Sequence, residues 1–186
     1  MRKLRIFLDS DDVVVDNIEE VLRRYNEEYN QTLKIDQLTS WELDSFKAHG
    51  TEILKYFVEP GFFRHLTIKE GAVETIQRLI EEGHDVFIST ASNKVAIQDK
   101  LDFFEEYFPF IPYEQVLPIT RKDVLKGDIM LDDALHNLDA SSCTHKIVFD
   151  KPWNEITSEE YIRVHSWSEF YEIVKYISEG NILPIQ

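Results

Sequence analysis

The chain has 186 residues, of which 43% are hydrophobic and 12% are aromatic, and its formal net charge at pH 7 is -15. This length and composition predict one compact domain, or a core with one modest insertion, and they exclude a disordered chain. The negative charge argues against nucleic-acid polymers and anionic membranes as partners, because both would be repelled at long range.

Five short apolar runs indicate strands. Runs of this kind, without polar alternation, are typical of strands that are buried on both faces of a parallel sheet. The predicted strands cover residues 4–8, 86–88, 116–119, 129–131 and 147–149.

Helical periodicity separates these runs. Apolar residues at helical spacing predict a helix that ends near Gly83, and two further helices are predicted over residues 94–108 and 168–178. The alternation of strands and helices predicts a doubly wound parallel α/β sheet of the Rossmann type.

The stretch between the first strand and the helix near residue 72 contains no predicted strand, although a single crossover does not need this length. The first of its two predicted helices carries apolar residues on one face: Ile18, Val21, Leu22, Tyr25 and Tyr29. The second covers residues 45–58. We therefore predict a small helical cap over residues 17–68, inserted into a catalytic core formed by residues 1–16 and 69–186.

The chain carries a single cysteine, Cys143, which rules out an intrachain disulfide and a zinc cluster built on cysteines. This usage is typical of a reducing compartment. The apolar run before Asp9 is too short for a signal peptide, and no run approaches the roughly 20 residues of a membrane span. We therefore expect a cytoplasmic protein.

Polar residues gather where the predicted strands end. The first strand is followed by Asp9, Asp11 and Asp12, and later strands by residues 89–92, residues 120–122, Asp132 and Asp133. Ligands of open α/β sheets bind at this edge. Gathered carboxylates need a cation, and Mg²⁺ prefers such oxygen ligands. Any one of these residues could be a helix cap or chance surface charge. Four clusters at successive strand ends favour a magnesium-dependent site.

The same residues resemble the motifs of the haloacid dehalogenase superfamily. Residues 9–13, Asp-Ser-Asp-Asp-Val after an apolar strand, resemble its first motif, D-x-D-x-[T/V]. Thr90 resembles the second motif of the superfamily, and Lys122 resembles the third. The pair Asp132 and Asp133 resembles the fourth. Further segments resemble the 5'(3')-deoxyribonucleotidase family: Trp41 with residues 38–40, residues 59–63, residues 71–72, residues 120–122 and residues 165–167. The resemblance covers nearly the whole chain.

The resemblance implies a phosphatase that works through an aspartyl-phosphate. Asp9 would be the nucleophile, and Asp11 would be the general acid and base. The cofactor would be Mg²⁺, with Asp9, the main-chain carbonyl of Asp11, and Asp132 as ligands. Asp133 would not bind the ion itself but would help to hold these ligands in position.

The resemblance also implies a phosphate site made by Thr90, Ala91 and Lys122, which would offset charge in the transition state. Lys126 is a rival for the lysine role, disfavoured because it lies close to the strand that starts at residue 129. Arg121 is either a substrate contact or a solvated side chain.

Three aromatic residues match the family's substrate pocket: Trp41, Phe57 and Phe63. They could enclose a pyrimidine and a deoxyribose, or they could be ordinary packing residues of the cap. Two departures concern the substrate. Asp12 stands where the family carries Gly, and Asn17 stands where a pocket aromatic would be expected.

The leading hypothesis is a deoxyribonucleotidase that hydrolyses nucleoside monophosphates, and a family-like homodimer is compatible with it. One alternative keeps the mechanism but acts on a sugar phosphate or another small monoester. A second alternative is a non-catalytic phospho-acceptor signalling domain. It is disfavoured because such domains place the acceptor aspartate on a middle strand, where this chain has Ser89 and Thr90. A degenerate binding protein ranks last, because no catalytic position is missing.

Overall fold

The computed structural model describes residues 2–39, 51–155 and 161–181. Within these ranges six parallel strands form one sheet, in the order β3-β2-β1-β4-β5-β6. The strands are β1 (Arg5–Leu8), β2 (Asp85–Thr90), β3 (Val116–Pro118), β4 (Ile129–Asp132), β5 (His145–Phe149) and β6 (Ile162–Val164). The α-helices are α1 (Asn17–Tyr29), α2 (Ala72–Glu81), α3 (Ala96–Tyr107), α4 (Leu135–Ala140) and α5 (Trp167–Ser178). The prediction of a doubly wound parallel α/β sheet is confirmed.

Both faces of the sheet are covered, which explains the unbroken apolar runs. Successive residues of a strand point to opposite faces. On β1, Ile6 and Leu8 belong to a large apolar cluster that includes inward residues of α1, α2, α3 and α5. Phe7, between them, belongs to a smaller cluster with Met130 and with Leu138 of α4. The strand that precedes the first acidic residues is therefore held rigidly at the centre of the sheet.

Each of the five predicted strands is confirmed, and the predicted helices near residues 18–29, 73–83, 94–108 and 168–178 are confirmed as α1, α2, α3 and α5. Edge strand β6 and the short helix α4 were not predicted. The predicted helix over residues 45–58 is wrong in type for its described part, because Thr51–Val58 form a 3₁₀ helix. Residues 40–50 lie outside the described residues. In the described part of the chain, no helix is long and apolar enough to cross a bilayer.

Two short linkers connect α1 and the following 3₁₀ helices to the sheet. The Asp16 N–H donates to the Thr67 carbonyl, and the Lys69 N–H donates to the Val14 carbonyl, both at 2.9 Å. The side chains of Asp16 and Lys69 form an ion pair beside these bonds. Among its described residues, the segment between the linkers has no strand. The division into a core and a cap over residues 17–68 stays a prediction.

Candidate active site

Three carboxylates meet at the carboxyl-terminal edge of the two central strands. Asp9 follows β1, and its N–H donates to the Leu131 carbonyl of the neighbouring strand β4 at 2.9 Å. This pairing places Asp9 beside Asp132, the last residue of β4, and beside Asp133. One oxygen from each of the three carboxylates lies within 4.8 Å of the others, and all three residues are buried. The predicted convergence of the first and last acidic clusters is therefore observed.

Lys122 lies between two of these carboxylates. Its ammonium donates to Asp9 Oδ1 at 2.5 Å and to Asp132 Oδ2 at 2.7 Å, and the residue is only 3% exposed. Burial by itself lowers the pKa of Lys122, but the charges of Asp132 and Asp9 outweigh burial and hold the pKa above its usual value. Lys122 therefore places a positive charge within the acidic cluster.

One ammonium does not balance this cluster. Burial, reinforced by the charges of Asp132 and Asp11, raises the pKa of Asp9 to about 7, although Lys122 opposes the shift. Two buried carboxylate oxygens, Asp11 Oδ1 and Asp133 Oδ1, have no hydrogen-bond partner among the described residues. Buried polar atoms are normally satisfied. The donor set consists of hard oxygen atoms, so these residues fit a bound Mg²⁺.

Asp133 is held by the segment that follows β5. The indole N–H of Trp153 donates to Asp133 Oδ2 at 2.8 Å, and the Asn154 side-chain amide donates to the Asp133 carbonyl, also at 2.8 Å. Burial raises the pKa of Asp133 well above its usual value. No pattern in the sequence linked this segment to the acidic cluster, because its contacts depend on how β5 and β4 pair.

A second buried lysine, Lys100, was missed from the sequence. Its ammonium donates to Asp11 Oδ2 at 2.6 Å, to Thr90 Oγ1 at 2.9 Å and to the Ala91 carbonyl at 2.9 Å. It also lies 4.4 Å from the centre of the Phe63 ring. A signal was present, since Lys100 interrupts the buried face of α3. A lysine on such a face needs a buried anion or a ligand.

The unexpected Asp12 is hydrogen-bonded to the start of α1. Its backbone has a left-handed φ of 57°, a conformation that favours glycine. Its carboxylate instead accepts a hydrogen bond from the Ile18 N–H, in the first turn of α1, at 3.1 Å. Burial raises the pKa of Asp12 to about 7, against the opposing charge of Lys151. Asp12 therefore supports the loop after β1.

Comparison with known proteins decides the family. Residues 2–178 match the family described as 5' nucleotidase, deoxy (pyrimidine), cytosolic type C protein. The chain belongs to this nucleotidase family. The prediction of a phosphoric monoester hydrolase of the 5'-nucleotidase type is thereby confirmed.

Two relatives of this nucleotidase carry the same name, 5'(3')-deoxyribonucleotidase, in Bacillus subtilis (strain 168) and in Bacillus phage SPbeta. Each is 30% identical over 170 residues, which cover 91% of this chain and 96% of the relative.

Solved structures share the fold. A dehalogenase with an intermediate complex has a TM-score of 0.62 at 13% identity, covering 93% of this chain and 98% of its own. The protein YfnB of Bacillus subtilis, bound to magnesium, has a TM-score of 0.59 at 17% identity. The match covers 94% of this chain and 99% of YfnB. A haloacid dehalogenase family hydrolase of Deinococcus radiodurans, with bound phosphate and sodium, has a TM-score of 0.62 at 14% identity. The match covers 94% of this chain and 96% of that hydrolase.

The three aromatic residues predicted to line a substrate pocket differ in their surroundings. Phe63 is buried, and Lys100 bridges it to Asp11. Phe57 is half-buried and packs edge-on against Phe62, with ring centres 6.1 Å apart. Trp41 lies outside the described residues.

The two basic residues weighed beside Lys122 lie apart from the acidic cluster. The Arg121 side chain is 77% exposed and forms an ion pair with Asp123 at 2.6 Å. Lys126 lines a cavity with Lys3 and Asp128 near the amino-terminal ends of the strands. The disfavoured rival, Lys126, is therefore at the opposite edge of the sheet.

Proposed function

We propose that this nucleotidase is a Mg²⁺-dependent 5'(3')-deoxyribonucleotidase that works through an aspartyl-phosphate on Asp9. The observation that carries the proposal is the meeting of Asp9, Asp132 and Asp133 around a buried lysine at the carboxyl edge of the sheet. The family match over residues 2–178 and the names of the two relatives support the substrate class.

Two displacements at phosphorus account for the hydrolysis. An Asp9 carboxylate oxygen bonds to phosphorus while the bond to the nucleoside oxygen breaks, and Asp11 gives that oxygen a proton. Water then bonds to phosphorus, its proton passes to Asp11, and the bond to Asp9 breaks. The products are a nucleoside and inorganic phosphate, and the residues return to their starting forms, with Asp9 ionised and Asp11 protonated.

Asp9, the main-chain carbonyl of Asp11, and Asp132 would hold Mg²⁺, with Asp133 supporting them. When bound, Mg²⁺ offsets the negative charge of the carboxylates and of the phosphate. The nucleophile must be ionised, whereas burial raises the pKa of Asp9 to about 7. A neighbouring divalent cation favours the ionised form.

Phosphate oxygens would be bound by Thr90, Ala91 and two lysines rather than one. Lys122 contacts the nucleophile, and Lys100 contacts Thr90 and the general acid. Preorganised cations in a buried site stabilise the negative charge that develops in the transition state. They also bring the substrate's anionic group into a protein whose formal net charge is -15.

The nucleoside would lie against Phe63 and Phe57, with Trp41 as a third predicted contact. Aromatic faces suit a flat base. The single Cys143 is a buried free thiol, which suits the predicted cytoplasmic location. A homodimer also stays a prediction.

Phosphate release tests the proposal. We expect the purified chain with MgCl₂ to hydrolyse dUMP and dTMP faster than UMP or glucose 6-phosphate, and EDTA to abolish the release. Asp9→Asn should be inactive, whereas Asp128→Asn, at the opposite edge of the sheet, should keep full activity.

Each alternative has its own outcome. Turnover of glucose 6-phosphate but not of nucleotides would replace the substrate class. Stable phosphorylation of Asp9 without turnover would point to a phospho-acceptor domain. Undiminished hydrolysis by Asp9→Asn would remove the mechanism.

A further inference from the structure

We infer that Trp153 is a positioning residue for the metal site, because its indole N–H fixes the direction of the Asp133 carboxylate. The inference rests on the proposed function for the identity of the cation. Trp153 lies in the 3₁₀ helix Pro152–Asn154, directly after β5, and is 8% exposed.

The indole hydrogen bond selects one carboxylate oxygen. Trp153 Nε1 donates to Asp133 Oδ2 at 2.8 Å, and an indole N–H can only donate. The other oxygen, Asp133 Oδ1, is buried and has no partner in the described part of the chain. Because Asp133 contributes an oxygen within 4.8 Å of oxygens of Asp9 and Asp132, the carboxylate is left with one oxygen free for a cation or its water.

The same segment also fixes the main chain of Asp133. The Asn154 amide donates to the carbonyls of Asp133 and Phe149, both at 2.8 Å, and Asn154 Oδ1 accepts from the Lys151 N–H at 3.0 Å. Asn154 therefore sets where the Asp133 backbone lies, and Trp153 sets how its carboxylate is turned. A loss of the indole N–H should release only the rotation of the carboxylate.

Mg²⁺ affinity measures this role without any substrate. We expect Trp153→Phe to raise the Kd for MgCl₂, measured by isothermal titration calorimetry on the full chain, by about 10-fold, as for other outer partners of metal ligands. Trp167→Phe is the matched control, because Trp167 is also buried, at 1% exposure against 8% for Trp153, but its indole donates to the Val13 carbonyl at 3.1 Å. Its Kd should equal that of the wild type.

A double-mutant cycle tests whether Trp153 acts through Asp133. Asp133→Ala removes the acceptor of the indole N–H, so Asp133→Ala and the double variant Asp133→Ala with Trp153→Phe should bind Mg²⁺ equally. A second reading uses the unmutated chain: the Trp153 indole N–H resonance in ¹⁵N NMR should shift as MgCl₂ is added, while that of Trp167 stays in place. This reading does not depend on the folding of a variant.

Several results would overturn the inference. One is a Kd for Trp153→Phe within about 2-fold of the Trp167→Phe control, and another is an equal loss of affinity in the Asp133→Ala background. A Trp153 resonance that does not respond, or a wild type that does not bind Mg²⁺, would also overturn it. Because the titrations contain no nucleotide, failure of the deoxyribonucleotidase activity is seen separately, in phosphate release.

Discussion

Replacement of Lys100 by Met should lower kcat/KM for dUMP by about 10²–10³, the loss typical of one donor aimed at developing negative charge. Met keeps the length and unbranched shape of the side chain while removing the ammonium. The Lys100 side chain is 4% exposed, and its ammonium contacts Asp11, the proposed general acid, and Thr90, a proposed phosphate ligand. Its removal takes away charge stabilisation that water cannot replace in so buried a position.

The stability of the Lys100→Met variant should change much less. The three hydrogen bonds of Lys100 include one to a carboxylate, and such a bond is worth about 1.5–3 kcal/mol. The variant also avoids burying an ammonium, which offsets much of that loss. We therefore expect the free energy of unfolding to change by less than about 2 kcal/mol.

Steady-state phosphate release and urea denaturation separate these two effects. Lys126→Met is the matched control, because Lys126 lies at the opposite edge of the sheet and is exposed. Hydrolysis by Lys100→Met within about 3-fold of the control would show that Lys100 only packs, and the assignment to the phosphate site would be wrong.

Three further changes test other parts of the site. Lys122→Met leaves the carboxylates of Asp9 and Asp132 without their shared cation, so the free energy of unfolding in urea should fall by about 3–5 kcal/mol and partly recover with MgCl₂; no recovery would contradict the metal site. The pKa of Asp12 is raised from 3.8 to about 7, so the ionised form is disfavoured by folding and stability is lost as pH rises between these values. Asp12→Asn should therefore gain about 2–4 kcal/mol at pH 8 and little at pH 4, and an unchanged pH dependence in urea would refute this. Phe63→Leu should raise KM for dUMP roughly 3–10-fold with little change in kcat, whereas an unchanged KM would remove Phe63 from the pocket.

The parts of the fold that the sequence predicted are those that burial alone dictates. The runs that became β1 and β4 are apolar throughout because both of their faces are covered. Strand β6 was not predicted because Arg163 interrupts its apolar residues, so that no continuous apolar run marks it. Edge strand β3 is equally short, but its residues Val116 and Leu117 belong to an apolar run.

The acidic residues of the site were predictable for a related reason, since parallel strands bring their carboxyl ends to one edge. The cations and donors around them were harder to predict. Lys100 reaches the site from within α3, and Trp153 reaches it from the segment after β5. Both contacts depend on the length of a side chain and on the packing of distant segments. Neither is a property of a local motif.

The central place of β1 bears on how the chain folds during synthesis. β1 is made first, yet its partners β2 and β4 follow only about 80 and about 120 residues later, as the pairings of Leu8 with Ile88 and Leu131 record. Until both have left the ribosome, an apolar strand with two unpaired edges remains open to association with other chains. Asp9, the proposed nucleophile, thus directly follows a strand whose two neighbours in the sheet are made much later. We therefore expect this chain to fold slowly and to need chaperones, because its candidate active site lies at the middle of a parallel sheet.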